Sequence, residues 1–250
     1  MASRFLALVL AAVLCSVPFQ KPDVEAAQQR LYGLVAEPNC SNAMPHCLTG
    51  VATTSVDLVL MSRVTTSIDE YWQQTFSARR RVYTSPTIVW YTGAEDPVST
   101  GCGVATGVPA FYCARDRTIY LDSSLLAQAP LLDGDIAVAV SIAHEWSHHV
   151  QGLLGMKRSL APRQSSDFFP EYLELQADCG AGAWAWSMNN SHQTDAWDAP
   201  QAIHFFGSIG DASSTSYAVD AHGTDPQRIT AFETGLNGGG ATADCKLPLK

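Results

Sequence analysis

A chain of 250 residues that is 46% hydrophobic and 16% charged carries enough apolar material for one sizeable core, and it shows no repeat and no long low-complexity run. The formal net charge of −9 and a sequence pI of about 5.1 argue against nucleic acid or an anionic membrane as partner, since both recruit basic patches. Arg79-Arg80-Arg81 is the one basic cluster, placed where a helix should end and cations complement its dipole.

At the N-terminus, Arg4 precedes the apolar stretch Phe5 to Val17, too short for a membrane span of about 20 residues but right for the core of a signal peptide. Val24-Glu25-Ala26 offers a small-residue cleavage site. Residues 1–26 are therefore expected to be a signal and the mature protein secreted or extracytoplasmic, without stable membrane insertion; an uncleaved anchor is the alternative. Residues 27–55 are rich in Pro, Asn, Ser and Thr and read as an irregular N-terminal segment ahead of a domain spanning 56–250. Within the former, Glu37 to His46 is the stretch that could fold over a cleft as a flap.

The domain opens with a helix predicted over Val56 to Arg79, on which Leu58, Met61, Val64, Ile68 and Trp72 recur at helical spacing. Thr87 to Tyr91 reads as a strand, and Ala110 to Cys113 with Thr118 to Leu121 as a hairpin around Arg115-Asp116-Arg117. An edge strand of such a sheet can hold an extended peptide by main-chain hydrogen bonds, and the hairpin near Tyr112 and Tyr120 is the candidate. An ordinary core hairpin is the competing reading.

Asp133-Gly134-Asp135 offers N-cap oxygens for a helix over Ile136 to Val150, which contains neither Gly nor Pro and is apolar nearly all round, as buried helices are. On it lies His144-Glu145-Trp146-Ser147-His148. Residues four apart on a helix differ by roughly 40° in direction, so His144 and His148 project from one face and can share a metal ion. Glu145 points obliquely toward the same place and can take a proton from water there without binding the ion. His149, roughly 140° around from His144, cannot join them and is assigned to packing or a surface contact.

A second helix is expected from Pro170, which suits a first helical position, to Asn189-Asn190. Glu171, Glu174 and Asp178 form a carboxylate stripe on it among Leu173, Ala177, Ala181 and Trp184. Like charges at spacings of three and four repel, so a stripe pressed into a core calls for a cation. Catalytic zinc sites commonly use two histidines and one glutamate and leave the fourth position open. Glu174 is the expected third ligand and Glu171 its competitor, while Asp178 is placed to accept the outer N–H of a liganded histidine and fix its tautomer.

A third segment, Asp225-Pro226, reads as an N-cap followed by Pro at the first position of a short helix through Phe232, with His222 and Gly223 in the loop before it. His222 can donate to a developing oxyanion, with Tyr217 as the other candidate donor. Alternatively, His222 packs against the helix start and Arg228 pairs with a carboxylate.

Taken in order, His144-Glu145-Trp146-Ser147-His148-His149-Val150-Gln151, Leu173-Glu174-Leu175-Gln176-Ala177-Asp178-Cys179 and His222-Gly223-Thr224-Asp225-Pro226-Gln227-Arg228 resemble successive signatures of the bacterial neutral zinc metallopeptidases. Cys102-Gly103 and Phe111-Tyr112-Cys113-Ala114-Arg115-Asp116 through Tyr120-Leu121-Asp122 supply a fourth, and the resemblance covers about residues 56 to 245. It implies an α+β, zincin-like fold with a small sheet ahead of two ligand-bearing helices, Zn²⁺ on His144, His148 and Glu174, Glu145 as base, and a peptide or protein substrate. This chain departs from the family pattern at Ala114, where Pro is usual, and at Val108-Pro109, where Gly-Pro is usual, which bears on substrate preference more than on chemistry.

Seven cysteines become six once Cys15 leaves with the signal, an even count suited to an oxidising compartment. Proximity together with the resemblance implies pairs Cys102–Cys113, Cys40–Cys47 and Cys179–Cys245. The expectation is an exported zinc-dependent endopeptidase. A zinc hydrolase of cell-envelope amides or esters, and a silent binding protein on the same scaffold, are the alternatives; the oligomeric state is left open.

Overall fold

A computed structural model describes residues 58–93, 97–105, 107–126, 130–156, 170–191, 198–212, 221–240, 242 and 244–249. The expected signal, the irregular segment with its Glu37 to His46 flap, the Cys40–Cys47 pair and Tyr217 lie outside these residues. Helix α1 spans Leu58–Ala78 and buries Met61, Val64, Ile68, Trp72 and Phe76 at the predicted three- and four-residue spacing. It stops just before Arg79, where Arg80 takes a left-handed conformation (φ 55°) and the Arg81 N–H closes back on the Phe76 carbonyl at 3.0 Å.

Three strands form a sheet in the order β1-β5-β4: β1 (Thr87–Tyr91) runs parallel to β5 (Thr118–Asp122), and β4 (Ala110–Cys113) runs antiparallel to it with Phe111 opposite Tyr120. The predicted hairpin is therefore present. β5 is buried along its whole length, leaving β4 at an edge. A two-stranded ribbon, β2 (Val98–Thr100) with β3 (Gly103–Ala105), precedes it, and Cys102 at its tip is bonded to Cys113. A short helix α2 (Ser123–Leu126) starts from Asp122, whose Oδ1 accepts the Ser124 and Leu125 N–H groups at 2.9 and 3.2 Å.

Four further helices lie among the described residues: α3 (Pro130–Leu153), α4 (Pro170–Asn190), α5 (Asp198–Ser208) and α6 (Asp225–Asn237). The expected start of α3 is corrected. Asp133-Gly134-Asp135 lie inside the helix, which begins at Pro130, because proline has no N–H to lose at a first helical position and a helix anchored by this much buried surface tolerates one interior glycine. For α6 the N-cap is Thr224, not Asp225: Gln227 Oε1 accepts both the Thr224 N–H (2.9 Å) and its hydroxyl (2.7 Å), and the helix continues past Phe232 to Asn237. The span predicted for α4 agrees with the structure.

Close helix approach depends on glycine at two contacts. A Cβ on Gly180 of α4 would collide with the Ser147 hydroxyl of α3, and one on Gly235 of α6 would collide with the Cys179 carbonyl of α4. The first contact lets α4 lie close against α3, and the second lets it lie close against α6. A second disulfide, Cys179–Cys245, ties α4 to the C-terminal tail. The result is a mixed α+β domain in which α3 packs against α1, β4, α4 and α5, while α6 packs on α4 and α5.

Candidate metal centre

Two helices bring the site together. His144 and His148 leave α3 one turn apart, and Glu174 leaves α4 opposite them. The His144 and His148 Nε2 atoms lie 3.1 Å apart, and Glu174 Oε2 lies 3.2 Å from the first and 3.3 Å from the second. No further group of three or more His, Cys, Asp or Glu side chains able to hold a metal ion occurs among the described residues.

These three edges test whether zinc fits. Tetrahedral zinc bound through nitrogen and oxygen at about 2.0–2.1 Å separates its ligand atoms by about 3.3 Å. The triangle formed by the two rings and the carboxylate matches that spacing, and two imidazoles with one carboxylate is the donor set of hydrolytic zinc sites. A small divalent cation fits this cradle.

Each imidazole is oriented from behind. His144 Nδ1 donates to Asp178 Oδ1 at 2.7 Å, and Asp178, fully buried, also receives the Arg228 guanidinium through Nε to Oδ2 (2.9 Å) and Nη2 to Oδ1 (2.7 Å). Arg228 is buried as well and lies over the Phe206 ring, 5.4 Å from its centroid. His148 Nδ1 faces Gln151 Oε1 at 2.9 Å. With both outer nitrogens engaged as donors, the Nε2 lone pairs are turned inward.

Burial disfavours charge on these rings, but the carboxylates prevail. Asp178 first, then Glu174 and Glu145, push the His144 pKa up to about 10, and His148 is raised mainly by Glu174. Burial would lift the Glu174 carboxyl, yet the two rings hold it well below the usual range. Such a pocket demands positive charge, as protons or as a metal ion. Glu145 is partly exposed beside the cluster, whereas Trp146 and His149 turn the other way: Trp146 Nε1 donates to the Tyr83 hydroxyl (2.7 Å), and His149 Nε2 donates to the Thr84 carbonyl (2.7 Å).

The remaining candidates have partners outside the triangle. Glu171 Oε1 accepts from Gln227 Nε2 of α6 at 2.6 Å and takes no part in the triangle. His222 is exposed on the loop before α6; its backbone N–H donates to Asp211 Oδ2 at 2.7 Å and its ring Nδ1 lies 3.7 Å from Asp211 Oδ1, while Gly223 beside it packs on Leu175. Tyr112 stands on the edge strand β4 with its hydroxyl 3.2 Å from His149 Nδ1, whereas Tyr120 belongs to the central strand, stacks on Phe111 and donates to Asp116. Of the two, Tyr112 is the one on an edge strand among the described residues. Gln151 and Gln176 escape sequence reasoning altogether. A single glutamine on each of two largely apolar helices is their one sequence signal.

A mixed α+β domain whose helices present two histidines of an H-E-x-x-H helix and a glutamate from the next helix defines a zincin-like class of protein. The chain belongs to the family described as "Putative neutral zinc metallopeptidase", whose model matches residues 30–247. It is similar to the uncharacterized protein YpfJ of Escherichia coli (strain K12), 33% identical over 195 residues that cover 71% of this chain and 67% of that one. It is also similar to the uncharacterized protein Rv2575 of Mycobacterium tuberculosis (strain ATCC 25618 / H37Rv), 31% identical over 196 residues covering 69% of this chain and 64% of that one. No solved structure gives a significant match.

Proposed function

We propose that this protein is an exported zinc-dependent endopeptidase in which His144, His148 and Glu174 hold Zn²⁺ and Glu145 is the general base. The observation that carries the reading is the triangle of two Nε2 atoms and one carboxylate oxygen at 3.1–3.3 Å, with a partly exposed carboxylate next to the first histidine. Zinc bound there supplies a Lewis acid that makes water nucleophilic near neutral pH and polarises a scissile carbonyl. Glu145 takes the proton from the attacking water and passes it to the leaving amine. Asp178 and Gln151 hold the rings so that neither ligand can rotate away, and His222 is the donor assigned to the developing oxyanion. The open edge of β4, at Tyr112, is where an extended peptide would pair.

Export is supported by two disulfides, which belong to an oxidising compartment. No helix of the described residues is long and apolar enough to cross a membrane. The test combines metal analysis of the purified protein with digestion of a proteome-derived peptide pool, with and without chelator. Glu145→Ala is expected to retain one zinc while losing about 10²–10⁴-fold in hydrolysis, the usual worth of a general base. Undiminished cleavage by the Glu145→Ala protein would refute the mechanism. Cleavage of wall fragments but of no peptide would move the substrate to cell-envelope amides.

A further inference from the structure

The second histidine is oriented by a chain of buried amides that ends in the C-terminal tail. His148 Nδ1 meets Gln151 Oε1 at 2.9 Å; Gln151 Nε2 donates to the Leu173 carbonyl at 2.7 Å and to Gln176 Oε1 at 3.1 Å; Gln176 Nε2 donates to the Cys245 carbonyl at 3.0 Å. Gln151 and Gln176 are each 4% exposed, so water does not compete for these bonds. Cys245 is fixed in turn by its disulfide to Cys179, three residues after Gln176 on α4.

The polarity of this chain is forced. Backbone carbonyls only accept, so the Leu173 and Cys245 oxygens require the NH₂ groups of Gln151 and Gln176 to point at them. Gln151 must then present its oxygen to His148, and His148 must carry its proton on Nδ1. That leaves the Nε2 lone pair facing Glu174 and His144.

We propose that Gln151, Gln176 and the Cys245 carbonyl form a positioning relay that sets the tautomer of His148, so that the disulfide-held tail governs how tightly the centre keeps its metal. The relay rests on the metal centre proposed above. It assigns a role to a tail segment far beyond Glu174 in sequence and gives His148 a counterpart to the Asp178–Arg228 arrangement behind His144.

The test is zinc affinity of the full-length, disulfide-intact protein, measured by competition with a chromophoric chelator. Methionine preserves the length and volume of glutamine while removing all three bonds of Gln151 or both bonds of Gln176. Gln151→Met is expected to weaken zinc by about 10–100-fold, the usual effect of removing such a partner, and Gln176→Met by about tenfold. Because Gln176 acts through Gln151, the double variant should bind no more weakly than Gln151→Met alone, whereas an independent structural effect would add. The His148 Nδ1 proton of the zinc-loaded wild type should be protected from solvent exchange, and that protection should be lost in Gln151→Met.

A wild-type protein that binds no zinc would sink the metal centre itself. Zinc binding by the wild type with undiminished affinity in Gln176→Met, or with additive losses in the double variant, would overturn the relay alone. Should Gln176→Met fail to fold, the wild-type spectrum still decides: a freely exchanging Nδ1 proton on zinc-loaded His148 overturns it.

Discussion

Asp178→Ala is the substitution whose consequence follows most directly from the geometry. Asp178 is fully buried and takes three bonds, two from Arg228 and one from His144, and Arg228 is itself 5% exposed. Removing the carboxylate strands a guanidinium in the interior, and breaking a buried pair in this way costs about 3–5 kcal/mol. At about 2–4 °C per kcal/mol for a domain of this size, the melting temperature should fall by about 6–20 °C. Urea unfolding in excess chelator measures the loss free of any metal contribution. The double variant Asp178→Leu/Arg228→Met removes both charges and should recover most of it, because the cost lies in the unpaired charge rather than in the missing bonds. A loss below about 1 kcal/mol for Asp178→Ala, or a double variant as unstable as the single, would refute the argument that the pair is desolvated and mutually dependent.

Zinc at a hundred times its dissociation constant should stabilise the protein by about 2.7 kcal/mol, visible as a chelator-reversible rise in melting temperature that His148→Ala abolishes. In chelator, His144 with its pKa raised to about 10 contributes stability in full below its unfolded value of 6.5, and that contribution is lost as pH rises toward 10. Glu174, lowered well below 4.5, contributes above 4.5 and loses its contribution on acidification, so urea midpoints should be highest between about pH 4.5 and 6.5; a metal-free protein that gains stability from pH 7 to 9 would contradict this. Loss of the Cys179–Cys245 bridge, which spans 66 residues, should cost about 4 kcal/mol in the chain-entropy account, more than loss of Cys102–Cys113, which spans 11, as compared by urea unfolding of paired Cys→Ala variants.

The meeting of His144 with His148 is legible in sequence because it is local: a spacing of four on a helix fixes relative direction without knowledge of the fold. Glu174 and Asp178 are legible for a different reason, as charges that their apolar neighbours force inward. What stays hidden depends on acceptors supplied by tertiary structure. Gln151 and Gln176 are uncharged and are two of twelve glutamines in the chain; their partners are the backbone carbonyls of Leu173 and Cys245, which no side-chain pattern announces. Helix α5 goes unread because its buried Ala202 and Phe206 have meaning only against Phe232 of α6. The strands β2 and β3, three residues each, are too short to show a period of two. At the caps, Asp133 and Asp225 mislead because both residue types suit an N-cap in isolation, while Pro130 and the Thr224–Gln227 pair set the real boundaries.

The nearly complete burial of α3 also explains why its polar residues sort into two sets. His144, His148 and Gln151 face α4, where carboxylates and amides satisfy them. Trp146 and His149 face the other way, where Tyr83 links Trp146 to Asp69 of α1 and the Thr84 carbonyl and Tyr112 hydroxyl bracket His149. Burial lowers the His149 pKa and keeps that ring neutral, so it can accept from Tyr112 through Nδ1 while donating to Thr84 through Nε2. The side of the helix away from the metal cradle is thereby fastened to both α1 and the edge strand. The adjacent His148 and His149 therefore face opposite sides of one helix, His148 toward the cradle and His149 toward the edge strand.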